Sequence, residues 1–545
     1  MSLSEGIKST QSVVSVDEVP VKSIISGSNC KILVDHLVDK DETVVLALGY
    51  KQEFKRDFSL WTTFGVAFSV LGLLPSIAST LFYSLAVAGN AGITWGFLLG
   101  VIGIVPVALN LAEIASAYPV AGGIYYATAM LSPPKYKAIL SWIAGWSNYF
   151  YQVTGAPSVG YGCASMILAL AAVANPHYQY QTWHCYLLTV AITFVCSIIA
   201  SLPTKWIAYI NMGSSILNIG FLFISWIFML CGNNREDNLT DWPDGMAVLL
   251  SFMAVLWTLC GFDSPFHIAE ECSNAQVATP RAVVMTATIG GGLGFVFQLA
   301  IAYTIVDIDN AVNDELGQPY IAYLNQIMSK PRVLAIGSFA AILAFSMTFS
   351  CMIAASRVLF SYSRDNCFPL SRYWCKVNKY TKTPVNAVWA NWVIGVLLLL
   401  LMFGGVAIDA IFSVGSIAPF ISFCIPILLR ITYARHTFKP GPWNLGRWTY
   451  LSGYIGCLFV LLMIPISVFP DYKGADNTMD MMNWTCVVYY GSMLLAIAWY
   501  YAYAHKTYKG PKSNITGDII IGNDVDEIVE KVSMNKDFEA EKKIK

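Results

Sequence analysis

Twelve stretches of about 20 largely apolar residues constrain this 545-residue chain more than any other feature of it. They run over 60–86, 93–117, 139–173, 183–202, 206–231, 246–270, 282–305, 332–361, 385–404, 407–432, 449–469 and 484–503. A run of that length spans the hydrocarbon core of a bilayer as a helix, because inside lipid the backbone must satisfy its own hydrogen bonds. The runs are continuous and show no period-2 alternation, which excludes the strands of a membrane barrel. Charged residues make up only 12% of the chain, against roughly 25% in soluble domains. The expected fold class is therefore an all-α polytopic membrane protein of about twelve transmembrane helices, with the lipid bilayer as its surroundings. A net charge of −1 supplies no field for nucleic acid, and no such partner is expected.

Lys and Arg in short loops set the orientation. Lys51, Lys55 and Arg56 precede the first stretch, and loops on the same side carry Lys135, Lys137, Lys205, Arg281, Arg364, Arg372, Lys376, Lys379, Lys382, Arg435 and Lys439. The opposite loops are poor in both, apart from Lys330 and Arg332. Both termini are expected in the cytoplasm. Three parts follow: a mostly disordered N-terminal tail over 1–55, a transporter domain over 56–505, and a C-terminal tail over 506–545. Asn238, in an Asn-Leu-Thr sequon, falls in an outward loop and is the glycosylation candidate, whereas Asn483 lies too close to a span. Lys512, Lys536 and Lys542 are candidate acceptors for a ubiquitin ligase acting on the cytoplasmic tails. The chain ends Lys542-Lys543-Ile544-Lys545, a dilysine pattern. The plasma membrane is the expected address, and the endoplasmic reticulum, Golgi or vacuolar membrane is the alternative. The cysteines are scattered singly through apolar runs and read as small buried hydrophobes.

Two stretches are interrupted at matching places. The first contains Ser69-Val-Leu-Gly72-Leu73-Leu-Pro75-Ser76, and the sixth contains Cys260-Gly261-Phe262-Asp263-Ser264-Pro265. The second lies five stretches after the first, as in a five-plus-five inverted repeat with two peripheral helices. Proline removes a backbone donor and glycine permits irregular backbone, and such a break is tolerated at membrane depth only where it lines a cavity. The helix resuming near Leu73 offers amide hydrogens and a positive dipole end to a carboxylate. Carbonyls near Cys260 to Phe262 offer themselves to an ammonium. Ser69, Gly72, Leu73, Pro75, Ser76, Gly261, Phe262, Asp263 and Ser264 are thus the candidate substrate-binding residues. Asp263 is an ionisable group at membrane depth, which marks a functional site or a cap on the amides of Phe266 and His267. His267 and Glu270 lie about one helical turn apart, so a pair between them would take a coupling proton or hold a gate.

The run Gly49-Tyr-Lys-Gln-Glu-Phe-Lys-Arg56, followed by the stretch from Phe64 to Ser79, resembles fungal γ-aminobutyric acid permeases of the amino acid/choline transporter branch of the APC superfamily. Ala112-Glu113-Ile-Ala-Ser-Ala-Tyr-Pro119-Val-Ala-Gly122-Gly123-Ile-Tyr125 is similar to the superfamily's signature after the second span. Gly261 to Ser264, Ala269-Glu-Glu271, Ala355-Ser-Arg357, Ser363 to Pro369, Phe438 to Gly446 and Met482 to Cys486 extend the likeness over about 45–510. It implies a LeuT-type fold with spans 1 and 6 unwound at the site and spans 3, 8 and 10 framing it. It also implies proton-coupled uptake without metal or organic cofactor. Glu113, Gly122, Gly123, His267, Glu270 and Glu271 become coupling or gating candidates, with Glu113 and the two glycines read as conformational. Some bacterial relatives place a lysine in span 5, where this chain carries Asn211, Ser214, Ser215 and Asn218, so the proton carrier does not transfer from them.

The expected function is secondary active transport of amino acids or amino-acid-like amines such as γ-aminobutyrate. Choline, polyamines or vitamin precursors are the alternative cargo, and a non-transporting nutrient receptor is the rival class. The chain has no HExxH and no Ser-His-Asp grouping at workable spacing, so no enzyme is expected.

Overall fold

A computed structural model describes residues 21–26, 29–34, 41, 44–45, 48–50, 52–175, 177–179, 181–230, 244–314, 317–404, 407–469, 483–511 and 518–520. Asn238, Lys512, Lys536 and the closing run Lys542-Lys543-Ile544-Lys545 lie outside these residues. Two compact units emerge. Met1–Glu53 with Lys512–Lys545 form one, and Phe54–Pro511 form the other. The first contains three short strands, β1 (Val21–Ser26), β2 (Asn29–Val34) and β3 (Asp518–Ile520). β1 pairs antiparallel with β2, and β2 pairs parallel with β3. The sequence reading assigned this part of the tails no regular structure. Val21, Ile24, Ile25, Ile32, Leu33 and Val34 supply the apolar, mostly β-branched residues that favour strands there.

The larger unit is helical. Among the described residues, ten segments are long and apolar enough to cross a membrane. The first, Leu60–Ala117, runs 58 residues and holds two of the twelve sequence stretches, while the shorter apolar helix Cys486–Ala502 supplies the last. All twelve stretches are thereby accounted for. The chain is a multi-pass membrane protein. Its outer surface carries large apolar side chains such as Trp206, Leu397 and Leu458, each at least 60% exposed, which suits lipid contact and not water.

The helices, in chain order, are α1 (Leu60–Leu71), α2 (Leu73–Ala91), α3 (Phe97–Ala117), α4 (Gly123–Leu131), α5 (Lys137–Ala174), α6 (Thr182–Ala200) and α7 (Thr204–Leu230). Then come α8 (Asp244–Leu250), α9 (Phe252–Leu259), α10 (Ser264–His267), α11 (Ala275–Thr304), α12 (Ile308–Asn313), α13 (Pro319–Ile327) and α14 (Lys330–Arg364). The unit closes with α15 (Ser371–Trp374), α16 (Val385–Leu399), α17 (Ala407–Ile431), α18 (Trp448–Ile466) and α19 (Gly491–Ala502).

Span 1 is α1 plus α2, and span 6 is α8, α9 and α10. Both are broken, five spans apart. A capping box fixes where α1 begins: Thr62 N–H donates to Ser59 Oγ (3.4 Å) and Ser59 N–H donates to Thr62 Oγ1 (2.7 Å). α5, the third span, packs along both α14 and α17, the eighth and tenth. These long helices frame the two breaks, as the LeuT-type expectation requires.

Candidate functional site

At the first break a single residue leaves the helix. Gly72 has φ +49° and ψ +59°, and its N–H donates to Phe68 O (3.0 Å) while Ser76 N–H already donates to Gly72 O (2.8 Å). A side chain at Gly72 would be strained by that φ, and its Cβ would lie 2.4 Å from Met347 Sδ. Leu71 O, released by the break, accepts the Ser76 hydroxyl (2.6 Å). Ser76 therefore repairs the break internally. Ser69 is likewise engaged: its hydroxyl is 2.7 Å from Ser350 Oγ on α14 and donates to Ser214 Oγ on α7 (3.1 Å).

At the second break α9 ends on Cys260, whose N–H donates to Leu256 O (3.1 Å) and Trp257 O (3.0 Å). Gly261 then takes φ +100°, and a Cβ there would meet Val70 Cγ1 at 2.7 Å and Leu71 N at 3.4 Å. The two breaks thus touch through the backbone of residues 70–71 and 261. Gly261 O accepts from Ser264 N–H (3.0 Å), so that carbonyl is spent within the turn. Thr80 and Thr258 hydroxyls, 3.4 Å apart, link α2 to α9 just beyond.

Asp263 and His267 form the chemical centre of this region. Asp263 does not cap α10. Its backbone is already helical (φ −77°, ψ −14°), which turns the side chain away from the amides that follow. Instead His267 Nε2 lies within hydrogen-bond distance of Asp263 Oδ2 (3.0 Å), with both side chains fully buried. Asp263 Oδ1, Ser264 Oγ and His267 Nδ1 are buried without a hydrogen-bond partner. Three orphaned polar atoms within five residues are costly in an empty protein interior, and such groups call for a ligand or a proton. Tyr151 of α5 is a side-chain hydrogen-bonding neighbour of the Asp263 carboxylate, and Cys351 of α14 lies within electrostatic reach of it. Among the described residues no group of three or more His, Cys, Asp or Glu converges as a metal site would require.

The geometry agrees with kinship. A family profile described as amino acid permease matches residues 58–492. The chain belongs to the amino acid permease family. It is 47% identical over 522 residues to a putative polyamine transporter of Candida albicans, covering 92% of this chain and 94% of that one. It is 49% identical over 495 residues to an uncharacterized amino-acid permease of Schizosaccharomyces pombe, covering 88% and 91%. It is 29% identical over 532 residues to amino-acid permease 2 of Neurospora crassa, covering 94% and 97%. The permease is thus a transporter of the APC superfamily and not an enzyme.

The acidic gating candidates of the permease each meet an arginine. Glu271 Oε1 accepts from Arg357 Nε (2.9 Å) and its Oε2 from Thr204 Oγ1 (2.9 Å). Glu270 takes Arg364 at both oxygens (3.0 and 3.2 Å), and Ala121 N–H also donates to its Oε1 (3.0 Å). The expected His267–Glu270 pair does not form. Residues 269–271 tighten into a 3₁₀ turn, and Asp263 takes the imidazole instead. Glu113 joins Arg430 of α17 (3.1 Å) and Thr449 Oγ1 of α18 (2.6 Å). Gly123, at φ +51°, lets α4 approach His267 so closely that a Cβ would sit 3.0 Å from Nδ1, while a Cβ at Gly122 would meet Tyr125 and Tyr126 instead. At this face Phe58 N–H donates to Glu271 O (3.0 Å) and Ser273 N–H to Phe58 O (2.8 Å), tying the chain ahead of α1 to the end of span 6.

Several site residues escaped sequence reasoning. Tyr151, Tyr83, Tyr161 and Phe412 are among them; the last three converge with Trp257 from α2, α5, α9 and α17, with Phe412 4.9–6.2 Å from the other three rings. Nothing local distinguishes them in a chain where 14% of residues are aromatic. Arg357 did carry a signal, since an arginine inside an apolar run must have a buried partner. Phe262 turns away from the dyad onto Phe423 (5.4 Å) and acts in packing.

Proposed function

We propose that the permease moves a small amine-bearing solute, its amine held by Asp263 between the broken spans, by proton-coupled secondary transport. The observation that carries this reading is the buried, unpartnered Asp263 Oδ1 beside the equally unpartnered Ser264 Oγ. An ammonium donates three hydrogen bonds and brings the charge that a buried carboxylate lacks. Amino acids and ω-amino acids such as γ-aminobutyrate fit, with their carboxylate toward the start of α2, a 19-residue helix that begins at Leu73 beside Pro75. Choline, polyamines or vitamin precursors form the second reading. It is favoured by the aromatic group around Phe412, which suits a cation, and by the name of the Candida albicans relative. The face closed by Glu270 and Glu271 is proposed as cytoplasmic on the distribution of Lys and Arg, and the plasma membrane as the location.

The test is uptake of labelled γ-aminobutyrate into liposomes holding the purified protein, with an inward proton gradient imposed and then collapsed. Choline, putrescine, and neutral and basic amino acids serve as competitors. Gradient-dependent accumulation blocked by ω-amino acids supports the first reading. Flux of choline or putrescine without it moves the substrate to the second.

A further inference from the structure

Around the breaks the ionised groups differ in one respect. Glu113, Glu270 and Glu271 each face a guanidinium, which is permanently charged. Asp263 faces an imidazole, whose charge is optional. The surroundings add no further charge. α5 presents Tyr151, α14 presents Cys351 and Tyr362, and α9 ends on Cys260, all within electrostatic reach of Asp263. α4 presents Gly123 to His267, and the Tyr125 hydroxyl of that helix donates to Asp365. Arg357, on α14, is held by Glu271, and Glu270 by Arg364. α1 has no titratable residue, and α11 has only the exposed Arg281 near its start and the exposed Tyr303 near its end.

Two charge states of the dyad follow from hydrogen-bond bookkeeping. With Nε2–H donating to Asp263 Oδ2, Nδ1 is a bare acceptor, and the pair carries one net negative charge. One added proton, at Nδ1 or at Oδ1, makes the pair neutral. In a tightly coupled pair the total matters more than the atom that holds it. Both side chains are fully buried, so the negative state is expensive to carry through an occluded conformation.

We propose that the dyad imposes a charge rule on transport: every substrate-loaded occluded site contains one positive charge to neutralise it, brought either by the substrate or by a proton, while the empty, water-filled site returns without that proton. A zwitterion has no net charge and therefore travels with one proton on the dyad. A monocation supplies the charge itself and displaces that proton. One site thus performs proton symport for zwitterions and proton-independent entry, competed by protons, for monocations. The inference rests on the substrate site proposed above and adds the dependence of coupling on substrate charge.

The experiment uses the full-length protein in liposomes with a pH dye inside, with γ-aminobutyrate as the zwitterion and choline as the fixed monocation. For γ-aminobutyrate the rule predicts that the accumulation ratio rises about tenfold per unit of inward proton gradient, with one proton entering per molecule. For choline it predicts no stimulation by the same gradient, and competitive inhibition as the outside is acidified. His267→Gln keeps a donor toward Asp263 but cannot ionise, and it is expected to lose the proton stimulation of γ-aminobutyrate uptake more than choline uptake. Choline entry stimulated like that of γ-aminobutyrate overturns the rule, as does γ-aminobutyrate entry indifferent to the gradient; each arm decides by itself if only one solute is carried. Asp263→Asn separates the two layers. Loss of all transport in that variant, with equal proton dependence of both solutes in the unaltered protein, sinks the charge rule alone. Unimpaired transport by the variant, or carriage of neither solute, overturns the site and the rule together.

Discussion

Gly261 lies against Val70: a Cβ built on the glycine would stand 2.7 Å from Val70 Cγ1. This approach is what joins the break in span 6 to the break in span 1. It places Asp263, two residues further on, beside the irregular backbone of both. The dyad with His267, the unpartnered Ser264 hydroxyl and the α2 N-terminus all depend on it.

Substitution of the break glycines should therefore be severe. Gly72→Ala meets both a left-handed backbone, which costs about 1–2 kcal/mol for a residue with Cβ, and Met347 Sδ at 2.4 Å. Transport is expected to fall at least tenfold and the melting temperature in detergent to drop. Adding Met347→Ala should restore part of the stability, because only the steric part of the cost is relieved. Full recovery in the double variant would show that the left-handed conformation at Gly72 carries no cost.

The Glu271–Arg357 pair should behave as a buried latch. Arg357→Met leaves Glu271 buried and unpaired and is expected to cost about 3–5 kcal/mol. The double change Glu271→Gln with Arg357→Met should regain much of the folded protein, since both charges are then gone. Cys272, buried beside Thr63 Oγ1 (3.0 Å), reports the opening of this face. Its alkylation should accelerate in Glu271→Gln, and an unchanged rate would separate the pair from gating.

Glu113 holds α3 to α17 and α18 through Arg430 and Thr449. Glu113→Gln retains hydrogen-bonding atoms but removes the charge opposite Arg430, so stability should fall while the KM for substrate stays near its original value. A changed KM with unchanged stability would move Glu113 toward the substrate.

Geometry disfavours Asn483 as a glycosylation site: its amide nitrogen donates to Ser467 O (3.1 Å) and Phe469 O (2.9 Å). Asn483→Gln should leave the electrophoretic mobility of protein from a secretory host unchanged.

The spans and both breaks were legible in the sequence because they rest on local rules: run length, and a glycine followed by proline within an apolar run. Gly72 and Gly261 are where that reasoning predicted irregular backbone. What remained hidden was partnership. That His267 turns to Asp263 and not Glu270 depends on a 3₁₀ turn at 269–271 and on α4 pressing Gly123 against the imidazole. Ser69 and Ser76 read as substrate contacts, yet their hydroxyls serve Ser214 and Leu71 O, because a break frees groups that the protein must partly satisfy itself. Tyr151 and Phe412 come from spans remote in sequence and gave no local signal.

The measurement that bears most directly on the account is labelled-amine uptake by unaltered, Asp263→Asn and Asp263→Glu proteins, reconstituted at equal amounts and checked for equal folding. The account predicts that Asp263→Asn, correctly folded and fully inserted, loses uptake at least a hundredfold, while Asp263→Glu keeps a measurable fraction. Uptake by folded Asp263→Asn at the original rate would contradict it and remove the dyad from the transport site.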